Sequence, residues 1–340
     1  METIATLFSG GEGVGIGAKA AGVRHIWGIE KHDDIAQVAR DNGFEVKTAD
    51  VLDVDPHTLE VPHILHASPE CKSASVANVN RGETRLDITL GERIAHFIDV
   101  LRPRVFTLEN VYQYRNFVGF KRVMAALARN DYMYHFSNLN AADFGLPQTR
   151  KRLILRAIRG SLLPNLPPPG QWIGWYEAIE DLIPTLPESP FPPWQKSLLP
   201  EWATETMLFH NNRSHDRNGV AYNKLSSRAT HEPGFTVTTR LVGQVRAFIV
   251  DGQQTRGGRH LTTRRAGEPI NTIHAQPLTK QPRRAWLDDG RTVKMTLQTI
   301  TRWQTFPDHY KLPENNRLAS RIIGNSVPPL LYQRITELWS

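Results

Sequence analysis

Residues 3–158 alternate short apolar or β-branched runs with amphipathic segments of helical period, and this alternation restricts the possible folds more than any other feature. The pattern is typical of parallel βαβ units. It predicts seven strands, at residues 4–8, 25–29, 45–49, 63–67, 104–108, 132–138 and 152–158. It also predicts helices at residues 14–21, 33–42, 91–101 and 118–129. We therefore expect an α/β fold with a doubly wound, mostly parallel seven-stranded sheet.

The sequence changes character after the last predicted strand. Ten of the 23 prolines lie between residues 164 and 200, which indicates a linker or an irregular segment. The stretch 211–294 holds 15 basic and 6 acidic residues, so it accounts for the whole net charge of +7 and indicates a polyanionic partner. It contains short β-like runs at 235–240 and 245–250. The tail after residue 299 predicts a helix, a turn and a last helix.

Cys71 is the single cysteine of the chain, which excludes intrachain disulfides and zinc sites built from several cysteines. It follows the fourth predicted strand, at the sheet edge where ligands of such folds bind. A lone cysteine is usually a small buried hydrophobe, but its polar neighbours indicate a nucleophile here. The chain has no apolar run of about 18 residues and no basic targeting segment. We expect a cytoplasmic protein without a metal site.

A glycine-rich turn and two acidic residues predict a nucleoside site. The first predicted strand leads into residues 8–13, where glycines let the backbone turn tightly and approach a ligand at the start of a helix. Glu30 ends the second strand, where a carboxylate accepts hydrogen bonds from ribose hydroxyls. Asp50 follows the third strand and is placed to bind the exocyclic amine of an adenine. Because residues 13–18 also fit the loose dinucleotide fingerprint, a nicotinamide-dependent enzyme stays open on this evidence.

The order of these segments resembles the cytosine-5 DNA methyltransferase family of bacterial or phage type, over nearly the whole chain. The motifs that carry the resemblance are Phe8-Ser9-Gly10-Gly11-Glu12-Gly13, Glu30, Asp50-Val51, Pro69-Glu70-Cys71, Glu109-Asn110-Val111, Gln148-Thr149-Arg150-Lys151-Arg152, Thr301-Arg302-Trp303-Gln304-Thr305-Phe306-Pro307-Asp308 and Gly324-Asn325-Ser326-Val327-Pro328-Pro329. Each motif is weak alone, but their shared order is specific.

The resemblance implies transfer of a methyl group from S-adenosylmethionine to carbon 5 of a flipped-out cytosine in a specific double-stranded DNA sequence. It implies that Cys71 adds to carbon 6 of the base and that Glu109 hydrogen-bonds the ring. Arg150 and Arg152 are implied to orient the base and its phosphate. The residues implied to surround the cofactor are Phe8, Ser9, Gly10, Gly11, Gly13, Glu30, Asp50, Val51, Leu90, Asn325, Ser326 and Val327.

The resemblance also implies how the chain is divided. A catalytic and cofactor-binding domain is expected at residues 1–160, a proline-rich linker at 161–200, a smaller irregular β-containing target-recognition domain at 201–295, and a C-terminal segment at 296–340 that returns to the first domain. We expect a monomer that binds double-stranded DNA. A cognate restriction endonuclease is a further partner that the resemblance allows.

The sequence departs from the family at two places. The family usually has Pro-Pro-Cys-Gln around the nucleophile, whereas this chain has Pro69-Glu70-Cys71-Lys72. It often has an aromatic residue after the ribose-binding acid, whereas this chain has Lys31. These changes bear on the pKa of the thiol and on adenine stacking. Two alternatives stay open: the RNA-directed branch of the same fold, which methylates transfer RNA, and a catalytically silent DNA-binding relative, which the altered Glu70 and Lys72 suggest.

Overall fold

A seven-stranded sheet forms the centre of the molecule. The computed structural model describes residues 1–70, 82–191, 193, 197, 207–215, 221–229, 247–255, 258–273, 283–287 and 290–339. The sheet consists of β1 (Thr3–Leu7), β2 (Arg24–Glu30), β3 (Val46–Thr48), β4 (Ile64–Ala67), β5 (Val105–Asn110), β6 (Tyr132–Asn140) and β7 (Lys151–Arg159). Its strand order is β3-β2-β1-β4-β5-β7-β6. The strands β1 to β5 pair in parallel and β7 is antiparallel to both neighbours, which confirms the predicted α/β fold.

The central strands are apolar because both faces of the sheet are covered. Every residue of β4 and β5 is buried, as expected for parallel strands between two layers of helices. The helices after β1 to β5 are α1 (Gly13–Ala20), α2 (Asp33–Asp41), α3 (Arg85–Leu101) and α4 (Val118–Arg129). Phe97 and Leu127 from α3 and α4 pack on one face, and Val14 and Ala18 from α1 pack on the other.

The start of α3 differs from the prediction. The helix begins at Arg85 rather than at residue 91. Thr84 and Asp87 form a capping box, in which the Thr84 hydroxyl accepts from the Asp87 N–H and the Asp87 carboxylate accepts from the Thr84 N–H at 2.7 Å. This cap stabilises a first turn whose Arg85 and Leu86 are exposed. Because these residues add nothing to the apolar stripe, periodicity alone misses the turn.

The C-terminal segment contains α5 (Leu297–Trp303), α6 (Asn316–Asn325) and α7 (Pro329–Thr336). The prediction of one helix before the last was wrong, because α6 is an additional helix. The Asn315 side chain caps α6 by accepting from the Arg317 and Leu318 N–H groups. The last helix, α7, lies on α1, and its Tyr332 packs in the same cluster as Val14 and Ala18.

The basic stretch forms two antiparallel sheets. β8 (Met207–His215) pairs with β9 (Ala221–Ala229). A second sheet has the order β11-β10-β12-β13, from β10 (Ala247–Thr255), β11 (Gly258–Arg265), β12 (Arg283–Leu287) and β13 (Thr292–Lys294). The predicted run at 245–250 overlaps β10, whereas the run at 235–240 lies outside the described residues. In the described part of the chain, no helix has the length and apolar character needed to cross a membrane.

Candidate active site

A pocket of about 460 Å³ lies at the carboxyl ends of the parallel strands. Such a position is the usual ligand site of doubly wound folds, and the volume falls in the range of small-molecule sites. It gathers most of the residues singled out from the sequence: Phe8, Ser9, Gly10, Gly13, Glu30, Asp50, Val51, Leu90, Glu109, Arg150, Arg152, Asn325, Ser326 and Val327. Gly11 does not line the pocket, and Cys71 lies outside the described residues.

The glycines of the turn after β1 have two different structural roles. Gly10 has a φ of +54° and open space where a side chain would stand, so its backbone is accessible from the pocket. A Cβ on Gly11 would lie 2.4 Å from the Ile322 side chain, and one on Gly13 would lie 2.2 Å from the Val327 carbonyl oxygen. Gly11 and Gly13 therefore allow the C-terminal segment to approach the turn closely. Sequence analysis had assigned them only to the cofactor.

The Glu30 carboxylate is held in one orientation at the end of β2. One oxygen accepts from the Gly10 N–H at 3.0 Å and the other accepts from the His32 N–H at 2.9 Å. Each oxygen keeps a further lone pair for a donor in the pocket. The structure thus joins Glu30 to the glycine turn, as the nucleoside interpretation requires.

Asp50 lies beside Lys31 on the pocket wall. Its carboxylate accepts from the Leu52 N–H at 3.0 Å and from the Lys31 ammonium at 2.6 Å. Burial raises the pKa of Asp50, and the hydrogen bonds from Lys31 and Leu52 lower it by more, so the net pKa lies below the usual value. Lys31, which stands where the family often has an aromatic residue, therefore contacts Asp50, the proposed acceptor of the adenine amine.

The segment that leads to Cys71 is fixed at the edge of β4. Pro69 and Glu70 line the pocket. The Asn110 side-chain amide donates to the Pro69 carbonyl oxygen at 3.0 Å, and its oxygen accepts from the Val111 N–H at 2.8 Å. Asn110 is buried, so both of its polar ends are satisfied by backbone. This bond joins the end of β5 to the backbone two residues before Cys71.

The two arginines of the 148–152 segment have different surroundings. Arg152 Nε lies 3.0 Å from a carboxylate oxygen of Glu109, and both side chains are largely buried. The Arg150 guanidinium donates to the carbonyl oxygens of Ile273 at 3.3 Å and Gly324 at 3.1 Å. Arg152 is thus positioned beside the proposed catalytic carboxyl, while Arg150 lies on the pocket wall and connects two other parts of the chain.

Comparison with known proteins decides the family. A model of the family described as C-5 cytosine-specific DNA methylase matches residues 3–339. This chain is a member of that family. The type II methyltransferase M1.HgaI of Avibacterium volantium is 27% identical over 300 residues, which cover 80% of this chain and 77% of the relative. The type II methyltransferase M.AplI of Arthrospira platensis is 25% identical over 342 residues, covering 97% and 83%.

Solved structures agree on the fold of this methylase. The methyltransferase EhMeth of Entamoeba histolytica superposes with a TM-score of 0.61 at 12% identity, over 99% of this chain and 97% of that chain. The seven-stranded sheet is therefore the methyltransferase type of Rossmann-like sheet.

The methylase contains a buried ion pair that the sequence analysis missed. Glu12 is fully buried beneath the glycine turn, where it accepts from the Thr6 hydroxyl at 2.6 Å and lies 3.1 Å from His25 Nε2. Burial lowers the pKa of His25, but the Glu12 carboxylate raises it by more, so the net pKa is raised. Gly15 and Gly28 leave the space for this carboxylate, since a Cβ on either would lie within 2.6 Å of it.

Gln148 connects three parts of the methylase behind the pocket. Its side-chain nitrogen donates to Gln304 Oε1 at 2.6 Å, and its oxygen accepts from the Ile273 N–H at 2.9 Å. Gln304 donates in turn to the Ser326 carbonyl oxygen at 2.9 Å. The first glutamine of the motif, named in the sequence without a role, thus holds the C-terminal pocket wall against the sheet.

Proposed function

We propose that this methylase transfers a methyl group from S-adenosylmethionine to carbon 5 of a cytosine flipped out of double-stranded DNA. The observation that carries the proposal is the pocket itself. It joins the glycine turn, Glu30 and Asp50 to Glu109 and to the backbone that immediately precedes Cys71. A cofactor bound along β1 to β3 would therefore present its reactive end to a base held near β4 and β5.

The residues of the pocket fit this cofactor. Glu30 offers lone pairs to two ribose hydroxyls from a carboxylate already fixed by Gly10 and His32. Asp50 offers an ionised acceptor to the adenine amine, since its pKa lies below the usual value. Gly10 leaves its surface open to the ligand. When bound, the cofactor supplies a methyl group activated by an adjacent positive sulfur.

The chain's own residues would carry the remaining chemistry. Cys71 adds its thiolate to carbon 6 of the cytosine, which moves electron density to carbon 5 and makes that carbon a nucleophile. In its protonated form Glu109 donates to ring nitrogen 3 and accepts from the exocyclic amine, and Arg152 orients Glu109 and the base. After methyl transfer, a base or water removes the proton of carbon 5. The bond between Cys71 and carbon 6 then breaks and restores the aromatic ring.

We infer a DNA partner from the positive charge of one stretch of the chain. The stretch 211–294 carries 15 basic and 6 acidic residues and forms the two small sheets β8–β9 and β10–β13. Such a surface suits contacts to phosphates and to base edges in a groove. Because the two relatives above are type II methyltransferases, we extend the proposal to modification of a specific DNA sequence within a restriction-modification system.

Covalent trapping tests the proposal. A DNA duplex that contains 5-fluorocytosine in the recognised site should form a stable adduct with the protein in the presence of S-adenosylmethionine, because fluorine cannot leave carbon 5 as a proton does. The site is found first, by bisulfite sequencing of DNA from cells that express the protein. Cys71→Ala is the matched control and should form no adduct. An adduct with transfer RNA alone would move the proposal to the RNA-directed branch, and no adduct with either would favour a silent relative.

A further inference from the structure

Four side chains form a line of hydrogen bonds that ends in the pocket. His66 Nε2 lies 2.7 Å from the Ser68 hydroxyl, and His66 Nδ1 lies 2.8 Å from the Thr107 hydroxyl. The Thr107 hydroxyl lies 2.9 Å from the Tyr332 hydroxyl. His66, Thr107 and Tyr332 are buried, and the line reaches the pocket at Ser68 and His66, which both line it. None of these four residues has a part in the chemistry proposed above.

The fold brings the four groups together from distant parts of the chain. His66 and Thr107 are partners in the pairing of β4 with β5, so their side chains share one face of the sheet. Tyr332 comes from α7, and its ring meets the His66 ring edge-on at 4.9 Å between centroids. Ser68 is the first residue after β4 and lies three positions before Cys71. The line therefore runs from the C-terminal helix α7 to the start of the segment that leads to Cys71.

Only one direction of donation along this line gives each buried hydroxyl and ring N–H proton an acceptor. Burial lowers the pKa of His66 to about 3, so at neutral pH one ring nitrogen donates and the other accepts. Burial also raises the pKa of Tyr332, so its hydroxyl keeps its proton. Among the described residues, Thr107 is the only hydrogen-bond partner of the Tyr332 hydroxyl. Tyr332 must therefore donate to Thr107, because a buried hydroxyl proton without an acceptor is costly.

The rest of the line follows from this first bond. Within the described ranges, the Thr107 hydroxyl has only Tyr332 and His66 as partners, so its single proton goes to His66 Nδ1. His66 then carries its own proton on Nε2 and donates it to the Ser68 oxygen. Ser68 has accepted a hydrogen bond and still holds its hydroxyl proton. That proton is available to an acceptor in the pocket.

The strand order indicates which ligand would accept the Ser68 hydroxyl proton, and this step rests on the proposed function. Glu30 ends β2 and Asp50 follows β3, both on one side of β1, so the adenosine part would lie there. Ser68 follows β4, on the other side of β1, where the amino-acid part of the cofactor would extend. We propose that Ser68 donates its hydroxyl proton to the cofactor carboxylate and that His66, Thr107 and Tyr332 are positioning residues that fix this donor.

Binding measurements with two ligands test the proposal. The first ligand is S-adenosylhomocysteine, which has the carboxylate, and the second is 5′-methylthioadenosine, which lacks the amino-acid part. Ser68→Ala should weaken binding of S-adenosylhomocysteine by about tenfold or more, as expected for the loss of a hydrogen bond to a charged group. It should leave the affinity for 5′-methylthioadenosine within about twofold of wild type. Because no DNA is present, an effect cannot come from a contact between Ser68 and the base.

Tyr332→Phe tests the positioning residues without touching the pocket. The substitution removes one of the two partners of the Thr107 hydroxyl, so the line is fixed less firmly. Among the described residues Thr107 then has only His66 Nδ1 as an acceptor, so the direction of donation towards Ser68 stays the same. We expect a smaller loss of S-adenosylhomocysteine affinity, again without effect on 5′-methylthioadenosine. Tyr132→Phe is the matched control, because Tyr132 is also buried and its hydroxyl donates to Pro103, before the start of β5 and away from the pocket. It should change neither affinity.

The tautomer of His66 provides a direct reading that needs no substitution. Nitrogen-15 NMR should find the proton on Nε2 in the wild-type protein and also in the Tyr332→Phe variant, where the Thr107 hydroxyl still has only Nδ1 as its acceptor among the described residues. A proton on Nδ1 in the wild type would overturn the inference, as would equal losses for both ligands or unchanged affinities in Ser68→Ala. If the wild-type protein binds neither ligand, the proposed cofactor is wrong and the inference falls with it. If the inference is wrong but the proposed cofactor is right, the wild-type protein still binds S-adenosylhomocysteine.

Discussion

The Asn110 side-chain amide and the Pro69 carbonyl oxygen, 3.0 Å apart, connect the end of β5 to the segment that leads to Cys71. The two residues are 41 positions apart in the chain, and both line the pocket. Because Asn110 is buried and also accepts from the Val111 N–H, its side chain has one orientation in which both ends are satisfied. The motif that supplies Glu109 thus also supplies a fixed point for the nucleophile segment.

We predict that Asn110→Ala slows attack by Cys71 more than it weakens cofactor binding. Without the amide, the Pro69 carbonyl loses its partner and the nucleophile segment loses its fixed position, which should slow the trapping reaction with 5-fluorocytosine DNA about tenfold or more. The measurement is a single-turnover rate of adduct formation. Asn42→Ala is the control, since Asn42 donates to the Val38 and Lys311 carbonyls away from the pocket. Trapping at the wild-type rate in Asn110→Ala would refute this role.

Gly13→Ala should separate the C-terminal segment from the glycine turn. Its Cβ would lie 2.2 Å from the Val327 carbonyl oxygen, so backbone has to move. We expect a loss of about 3 kcal/mol of unfolding free energy, at the upper end of ordinary overpacking, together with weaker S-adenosylhomocysteine binding. Gly22→Ala is the control, because Gly22 has a φ of +81° but open space around it, and should cost about 1 kcal/mol. Urea unfolding measures both, and equal losses would contradict the prediction.

The strand framework and the acidic ends of strands could be predicted because both depend on local patterns. Continuous apolar runs mark strands that are buried on both faces, and parallel strands place their carboxyl ends at one edge. Glu30 and Asp50 could therefore be assigned to one pocket from their places at the carboxyl ends of β2 and β3. The start of α3 could not be located by the same means, because a capping box and not the apolar stripe determines it.

The contacts missed by sequence analysis join residues whose relation appears only after folding. Tyr332 and Thr107 are 225 positions apart, and no pattern in either segment indicates that a hydroxyl of α7 meets the centre of β5. The role of Gly11 and Gly13 in packing against the C-terminal segment could not be predicted either. In sequence, a glycine that lets a ligand approach cannot be told apart from one that lets another backbone segment approach. Cys71 lies outside the described residues, so its role stays a prediction.

The buried pair of Glu12 and His25 predicts a large effect of one substitution. In His25→Ala the Glu12 carboxylate would lose its charged partner while it stays fully buried, which typically costs about 3–5 kcal/mol. His63→Ala removes a similar contact, 3.2 Å from Glu2, but both of its side chains are partly exposed, so it should cost about 1 kcal/mol or less. Chemical unfolding at pH 6 measures both variants. Similar losses in the two variants would mean that the contact between His25 and Glu12 does not stabilise the fold as a buried pair.

The two buried histidines should give stability opposite dependences on pH. Since the pKa of His25 is raised above 6.5, its stabilisation is complete below pH 6.5 and is lost as the pH rises through the folded-state value. The pKa of His66 is lowered to about 3, so the unfolded chain binds a proton that the folded protein does not, and stability is lost as the pH falls from 6.5 towards 3.

His66→Asn should therefore reduce the acid-side slope of unfolding free energy against pH by about 1.4 kcal/mol per pH unit, which corresponds to one proton. The substitution removes the titrating ring, and the wild-type slope contains its full contribution between about pH 6 and pH 4. His25→Asn should instead alter the slope above pH 6.5. Urea unfolding at a series of pH values separates the two. An unchanged acid slope in His66→Asn would mean that the ring binds a proton in the folded protein, and the direction derived for the hydrogen bonds to Ser68 would then be wrong.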